Sequence, residues 1–286
     1  MIAERHVAQS LFACLALSLF SVAHAAEKKP TNDKLPDWAP QPKPHVIEDR
    51  FRVEVMTLSA DLDTDLRVDP TLATQGTLIN AEDDLGLDDH KLMPLAELTL
   101  LPGERHLIRL SGFSLRRAAS QAIDQTIVFD DQTYLPGERV DSTLNLRLFG
   151  FTYGYRLISN ERMEVTPTLG VQVGEYSTNA VVRSRTVREP TGDVAPIPVI
   201  GADLRYDFTR RLSMEGRVQY MKVELDEIEA RLVDWRVGFT WRFNPHFVVG
   251  AGYRAFTIDA ESFDEDSSGL IDLSMDGPLL YVRASL

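Results

Sequence analysis

From Val233 to Phe243 the chain reads VDWRVGFTWRF, and its apolar and polar positions alternate without a break. Val233, Trp235, Val237, Phe239, Trp241 and Phe243 fall on one face, and Asp234, Arg236, Gly238, Thr240 and Arg242 on the other. A period of two belongs to an extended strand whose faces meet different surroundings. The same division runs through Pro198 to Phe208, Arg162 to Glu175 and Leu212 to Lys222. Ten strands are predicted, near 51–61, 90–101, 104–117, 139–158, 162–178, 195–208, 211–225, 227–243, 246–260 and 270–286. The fold class is therefore all-β: either a soluble sandwich with an apolar core, or a transmembrane barrel with apolar outer and polar inner faces.

The connections separate the two. Tight turns at Pro102-Gly103, Ser159-Asn160, Thr209-Arg210 and Asn244-Pro245 alternate with mostly longer polar segments, the asymmetry of a membrane barrel with short periplasmic turns and long external loops. Aromatic residues gather beside the tight turns: Trp241, Phe243 and Phe247 at one, Tyr206 and Phe208 at another, Tyr155 at a third. Such placement makes an interfacial girdle. We predict a transmembrane antiparallel up-and-down β-barrel of about ten strands. Eight or twelve are the neighbouring even counts, since Asp61 to Asp69 and Ile127 to Leu135 could add extended pairs above the membrane.

Two predicted strands change parity. Leu144, Leu146 and Leu148 are even but Phe151, Tyr153 and Tyr155 are odd, and Ile271, Leu273 and Met275 are odd but Leu280, Val282 and Ala284 are even. Each change implies a bulge, at Phe149-Gly150 and at Gly277-Pro278, or a strand that projects beyond the membrane.

Residues 1–25 read as a secretory signal peptide, with Arg5, the apolar run LFACLALSLFSV and Ala23-His24-Ala25. The run is shorter than the roughly 20 residues of a membrane-crossing helix. Cys14, the sole cysteine, lies within it, so the mature chain has neither disulfides nor thiol chemistry. Residues 26–50 are a Pro/Lys-rich periplasmic linker, and 51–286 form the barrel. A net charge of -13 argues against nucleic acid as a partner.

The stretches GTLINAEDDLGLDD, LPGERH, FGFTYGYRL, WRFNPHFVVGAGYRAF and DGPLLYVRASL together resemble a family of uncharacterised Gram-negative outer-membrane β-barrel proteins, over most of the mature chain. The resemblance implies an outer-membrane location with both termini periplasmic. Barrels of this class usually end in an aromatic residue, whereas this chain ends in Leu286.

Faces opposite the apolar ones would line the lumen. They carry Arg52, Glu54, Glu97, Arg109, Arg147, Glu164, Asp203, Arg205, Asp207, Glu215, Arg217, Asp234, Arg236, Arg242, Arg254 and Arg283. Ten strands enclose little more than side chains can fill, so the expectation is a narrow, ion-pair-filled lumen. This predicts a non-catalytic structural or surface-interaction role. A narrow small-solute channel and a surface hydrolase, omptin-like or lipid-modifying, are the competing readings. Expected partners are outer-membrane lipid, lipopolysaccharide and, during biogenesis, the barrel-assembly machinery; the chain reads as a monomer without cofactor.

Among the histidines, His45, His106 and His246 lie away from any catalytic pattern, and the latter two flank tight turns. His90, after Asp88-Asp89, is the one candidate base, with Asp63 or Asp65 as an opposing pair. Asp264, Asp266 and Asp272 are spaced as in a calcium loop, but Met275 stands where the bidentate glutamate belongs, so an acidic hairpin is the simpler reading. Glu82, Asp83, Asp84, Asp88 and Asp89 are expected to decorate or cap the outer mouth.

Overall fold

In the computed structural model the described residues are 50–69, 75–129, 132–182, 195–224, 228–264 and 267–285. The expected signal peptide, linker residues 26–49, His45, Asp266 and Leu286 lie outside them. The strands are β1 (Phe51–Val68), β2 (Ile79–Asn80), β3 (His90–Leu100), β4 (His106–Ala122), β5 (Ile127–Phe129), β6 (Gln132–Tyr134), β7 (Arg139–Tyr155), β8 (Ile158–Ser159), β9 (Met163–Val182), β10 (Ala195–Asp207), β11 (Leu212–Glu224), β12 (Ile228–Arg242), β13 (Phe247–Asp264) and β14 (Ser267–Ser285).

The long strands pair in the order β10-β11-β12-β13-β14-β1-β3-β4-β7-β9, and β9 pairs again with β10. The sheet thus closes into a ten-strand antiparallel transmembrane barrel with no free edge. β2 adds to β1, β8 to β9, and β5–β6 form a separate small hairpin. At one end the turns are set by local chemistry. The side-chain oxygens of Asn160, Thr209 and Asn244 each accept from backbone N–H groups two and three residues on, the Asx and hydroxyl turns that reverse a chain tightly. Gly103, at φ 80, serves the remaining tight turn.

No bulge interrupts the strands that change parity. β7 keeps one register with β4 from Arg139 to Tyr155, and β14 keeps one with β13 from Ser267 to Ala284. Along β1 the pairs resume in step on either side of Pro278, which has no N–H to offer the ladder. Of the two explanations for the parity change, projection is the one realised. Strands of 17 to 20 residues such as β7 and β9 exceed the roughly 9–11 residues that cross a bilayer.

The barrel therefore reverses its polarity along its axis. Near the tight turns the outer face is apolar, with Val55, Phe151, Leu169, Ile200, Phe239 and Leu280 exposed, and its rim carries the paired rings of Tyr206 and Phe208 at 5.0 Å. Further along the same strands, Asp61, Arg116 and Arg147 point outwards. The inner face there becomes a hydrophobic core of Met56, Leu58, Met93, Phe113, Leu115, Leu144, Leu148, Phe256, Leu273 and Met275.

The stretch expected to decorate the outer mouth is instead part of the wall. β3 and β4 pair only through Leu95–Leu100 and Ile108–Phe113, so their far ends separate. Residues 79–89 fill the gap. Ala81 N–H donates to the Thr64 carbonyl, Leu62 N–H to that of Asp89, and Thr64 N–H to Glu82 Oε2 at 2.9 Å. Leu87 joins the main core and Leu85 a second cluster with Ile123, Ile127, Tyr134 and Val140. Gly86 adopts φ 69, and an added Cβ would strike the Gln121 amide. The fully buried Arg117 locks the seam by pairing with Glu82 and donating to Thr64 Oγ1 at 2.5 Å.

Beside this seam, Asp69 Oδ1 accepts from Gly76 N–H at 2.8 Å and Arg67 Nε at 2.9 Å, while Ser268 Oγ donates to Oδ2 at 2.9 Å. Burial raises the Asp69 pKa, but these donors outweigh it and hold the group below the ordinary carboxylate value.

Removing one member of a buried ion pair strands the other. We expect Arg117→Ala to lower unfolding free energy by about 3 kcal/mol, and Arg117→Met with Glu82→Gln, which keeps an acceptor for Thr64 N–H, to regain at least half of it, as read by denaturant titration in micelles. A depressed folded pKa stabilises above the unfolded value and is lost as pH falls through the folded one. Protection of the Gly76 amide from hydrogen exchange should thus be complete above about pH 5 and weaken as pH drops below about 3.9, the unfolded aspartate value; Asp69→Asn should flatten that dependence.

Candidate functional site

The bore near the tight turns holds an alternating chain of charges. Glu97, on β3, accepts from Arg217 Nη1 at 2.6 Å and lies 3.5 Å from Arg236 and 3.8 Å from Arg109. Arg217 also reaches Asp203 at 3.1 Å, and Asp203 pairs with Arg109. Arg236 donates to Glu54 at 2.9 Å. Arg283 continues the chain, 2.6 Å from Glu54 and bound through both terminal nitrogens to Glu215 at 2.8 and 2.5 Å. These contacts cross the bore: β3 and β4 are tied to β10 and β11, and β1 to β12. Period-two alternation puts the charges inside, and ring closure makes opposite walls neighbours. Once desolvated, each charge needs such a partner.

Above this layer, Arg254 clasps Asp234 with two bonds of 2.9 and 2.8 Å and lies over the Phe113 ring at 5.6 Å. Gln172 donates to Gln219 at 3.0 Å. Beyond them the bore is filled by the apolar core. Among the described residues the bore holds a cavity of about 80 Å³ among the charged side chains and one of about 20 Å³ beside Phe113 and Gln219. A water needs roughly 10–15 Å³ by this kind of measure, so each space suits a few waters only.

Arg205, by contrast, pairs along its own strand with Asp207 at 2.9 Å, and Glu164 with Arg156 at 3.1 Å. Arg147 departs from its expected place in the lumen. Its side chain is 46% exposed on the outer face and lies 3.4 Å from Glu175. Because β7 has no bulge, Leu146 and Leu148 take the inward positions and Arg147 meets water above the membrane belt. The lumen also departs from an ion-pair filling along its whole length, since its far half is apolar.

Asp272 sits within β14, opposite Asp65 and Asp259, and β13 and β14 pair down to Asp264 and Ser267. The Asp264 side chain and Asp266 lie outside what the structure describes. No group of three or more His, Asp or Glu among the described residues is placed to hold a metal ion.

His106 lies 2.8 Å from the Tyr153 hydroxyl, and His246 lies 3.1 Å from the Ser285 carbonyl, both beside tight turns. His90 is the first residue of β3 and stands opposite Asp61 on β1. Its Nδ1 is 2.7 Å from Asp61 Oδ1 and its Nε2 is 3.0 Å from Ser59 Oγ. The expected partners Asp63 and Asp65 instead accept from Asn80. Sequence reading missed Ser59 and Asp61, which lie 31 and 29 residues before His90; only strand register joins them. Arg117 could have been found, since it shares its odd parity with Leu107, Arg109, Phe113 and Leu115.

Glu97 faces three guanidiniums, so Glu97→Ala should cost about 3 kcal/mol or more, whereas Arg147→Ala should stay within about 0.5 kcal/mol. Denaturant unfolding followed by tryptophan fluorescence separates the two.

No family model and no curated protein matches the chain. Among solved structures, it is similar to the outer membrane protease OmpT from Escherichia coli, at 12% identity and a TM-score of 0.54 over 84% of this chain and 98% of that one. Neisserial surface protein A aligns at 10% identity and a TM-score of 0.31 over 82% and 97%. The toluene transporter TodX of P. putida aligns at 8% identity and 0.36 over 83% and 90%. The first likeness identifies the fold, that of an outer-membrane β-barrel.

Proposed function

We propose that the chain is an outer-membrane barrel closed along its bore, which acts through the surface it presents and not as a conduit. The tight-turn end, where β1 begins and β14 ends, faces the periplasm, and the projecting strands and residues 75–89 stand at the cell surface among lipid and lipopolysaccharide. The observation that carries this reading is that the bore is blocked twice, by the cross-bore ion pairs centred on Glu97 and Arg217 and then by the apolar core around Phe113 and Phe256, whose rings meet edge-on at 5.8 Å. A conducting pore needs a continuous polar path, and the apolar layer offers none. Among the described histidines, His90 alone is at the projecting end, and it lies on the outer face.

Refolded full-length protein in planar bilayers should show no conductance steps. Reproducible steps that change size or selectivity in Arg217→Ala would overturn the closed-barrel reading in favour of a narrow channel.

A further inference from the structure

The outer face carries a group of side chains unrelated to the bore. Ser59 and Asp61 are alternate residues of β1, and His90 of β3 stands opposite Asp61. The imidazole bridges them, with Nδ1 2.7 Å from the Asp61 carboxylate and Nε2 3.0 Å from the Ser59 hydroxyl. A carboxylate can only accept a hydrogen bond, so Nδ1 carries the proton on that side, and with a single proton on the ring Nε2 is presented to Ser59 as a base. This is the order of contacts by which a carboxylate orients a histidine that activates a serine.

The position of Ser59 tells what such a nucleophile would meet. On the outer face of β1, Val53, Val55 and Thr57 precede it, and Asp61 and Asp63 follow. It therefore sits where the lipid-facing belt gives way to the charged surface. Below it an apolar groove of about 840 Å³ runs over the outside of the barrel, lined by Val53, Val55, Thr57, Leu280, Val282 and Phe239 among others. Thr57 ends that groove on β1, and Ser59 is the next outward residue, about 6.6 Å further at the usual rise per residue. In a bilayer the acyl chains fill the belt and their ester groups lie at its edge. His90 and Asp61 are open to solvent, with side chains 57% and 72% exposed.

We propose that Ser59, His90 and Asp61 form a serine esterase site on the lipid-facing exterior, with a fatty-acyl ester of an outer-leaflet lipid as substrate and the groove as the acyl-chain seat. Ser59 Oγ adds to the ester carbonyl carbon while its proton passes to His90 Nε2. The bond from that carbon to the alcohol oxygen breaks, and His90 returns the proton to the departing alcohol. Water, deprotonated by His90, then adds to the acyl-serine carbonyl carbon; the bond from that carbon to Ser59 Oγ breaks, His90 returns the proton to Oγ, and the fatty acid leaves. Asp61 balances the imidazolium charge at both stages. The site rests on the membrane placement proposed above and not on the closed bore, so the bilayer recordings and the assay below fail independently.

The test uses the full chain refolded in micelles and supplied with glycerophospholipid vesicles or with lipopolysaccharide, reading fatty-acid release, and with a fluorophosphonate probe read by mass spectrometry. We expect an adduct on Ser59 and release from one or both lipids. Ser59→Ala should abolish both signals, His90→Ala should reduce release at least about 100-fold, and His106→Ala should change nothing. Release from vesicles alone would assign a glycerol ester, and from lipopolysaccharide alone an acylated sugar. Two results would overturn the proposal: release that persists in Ser59→Ala, or neither adduct nor release from wild-type protein whose heat-modifiable gel mobility shows a folded barrel.

Discussion

An unbroken antiparallel ladder cannot change which side chains face inwards, and most of this structure follows from that constraint. Successive residues alternate faces at a strict period of two, and the pairs of β7 with β4 and of β14 with β13 run in single register from end to end. A strand that passes from lipid into water keeps its parity while its surroundings change. Composition must therefore switch instead. On β7 the inner series passes from Thr152 to Leu148, Leu146 and Leu144, and the outer series from Tyr153 and Phe151 to Arg147 and Asn145. In lipid the outer face buries apolar surface, so the bore can be polar. In water the outer face must be polar, and only the bore can supply a hydrophobic core.

The two halves of the bore are consequently held by different forces. Near the tight turns, charges too crowded to be hydrated individually satisfy one another in the series Asp203, Arg217, Glu97, Arg236, Glu54, Arg283 and Glu215. Such a layer adds orientation, since each guanidinium binds carboxylates at fixed angles. Further out, Met56, Phe113, Phe256 and Leu273 pack as a soluble protein's core does. Arg254 marks the junction, with its charge on Asp234 and its Cζ over the Phe113 ring.

Alternation made the lumen charges legible on strands of constant environment: Glu215 and Arg217 of β11 and Asp234 and Arg236 of β12 lie in the bore. Arg147 was misplaced because parity was assigned from the belief that apolar means lipid-facing, which holds only within the bilayer. The segment Gly76 to Asp89 looked like a loop because its carboxylates are dense and its strand pairing is two residues long. It lies in the wall because β3 and β4 separate, a matter of neighbouring strand lengths that no local pattern records. Arg117 has the parity of an inward residue, but it meets Glu82 only when that gap is filled.

By itself the sequence indicated the barrel, the tight turns and about ten long strands, with eight or twelve as the neighbouring counts, since each depends on residues near one another along the chain: the period of two, and the Asn and Thr side chains that close turns. Tertiary structure decided which residues share a place in space. It set the charges of opposite walls against each other, made the projecting half of the bore apolar, and brought His90 between Ser59 and Asp61. Register across a ladder and closure of a ring are properties of pairs of distant strands. They are fixed by the packing of the whole barrel, and a one-residue slip would turn Ser59 inwards and part the three side chains.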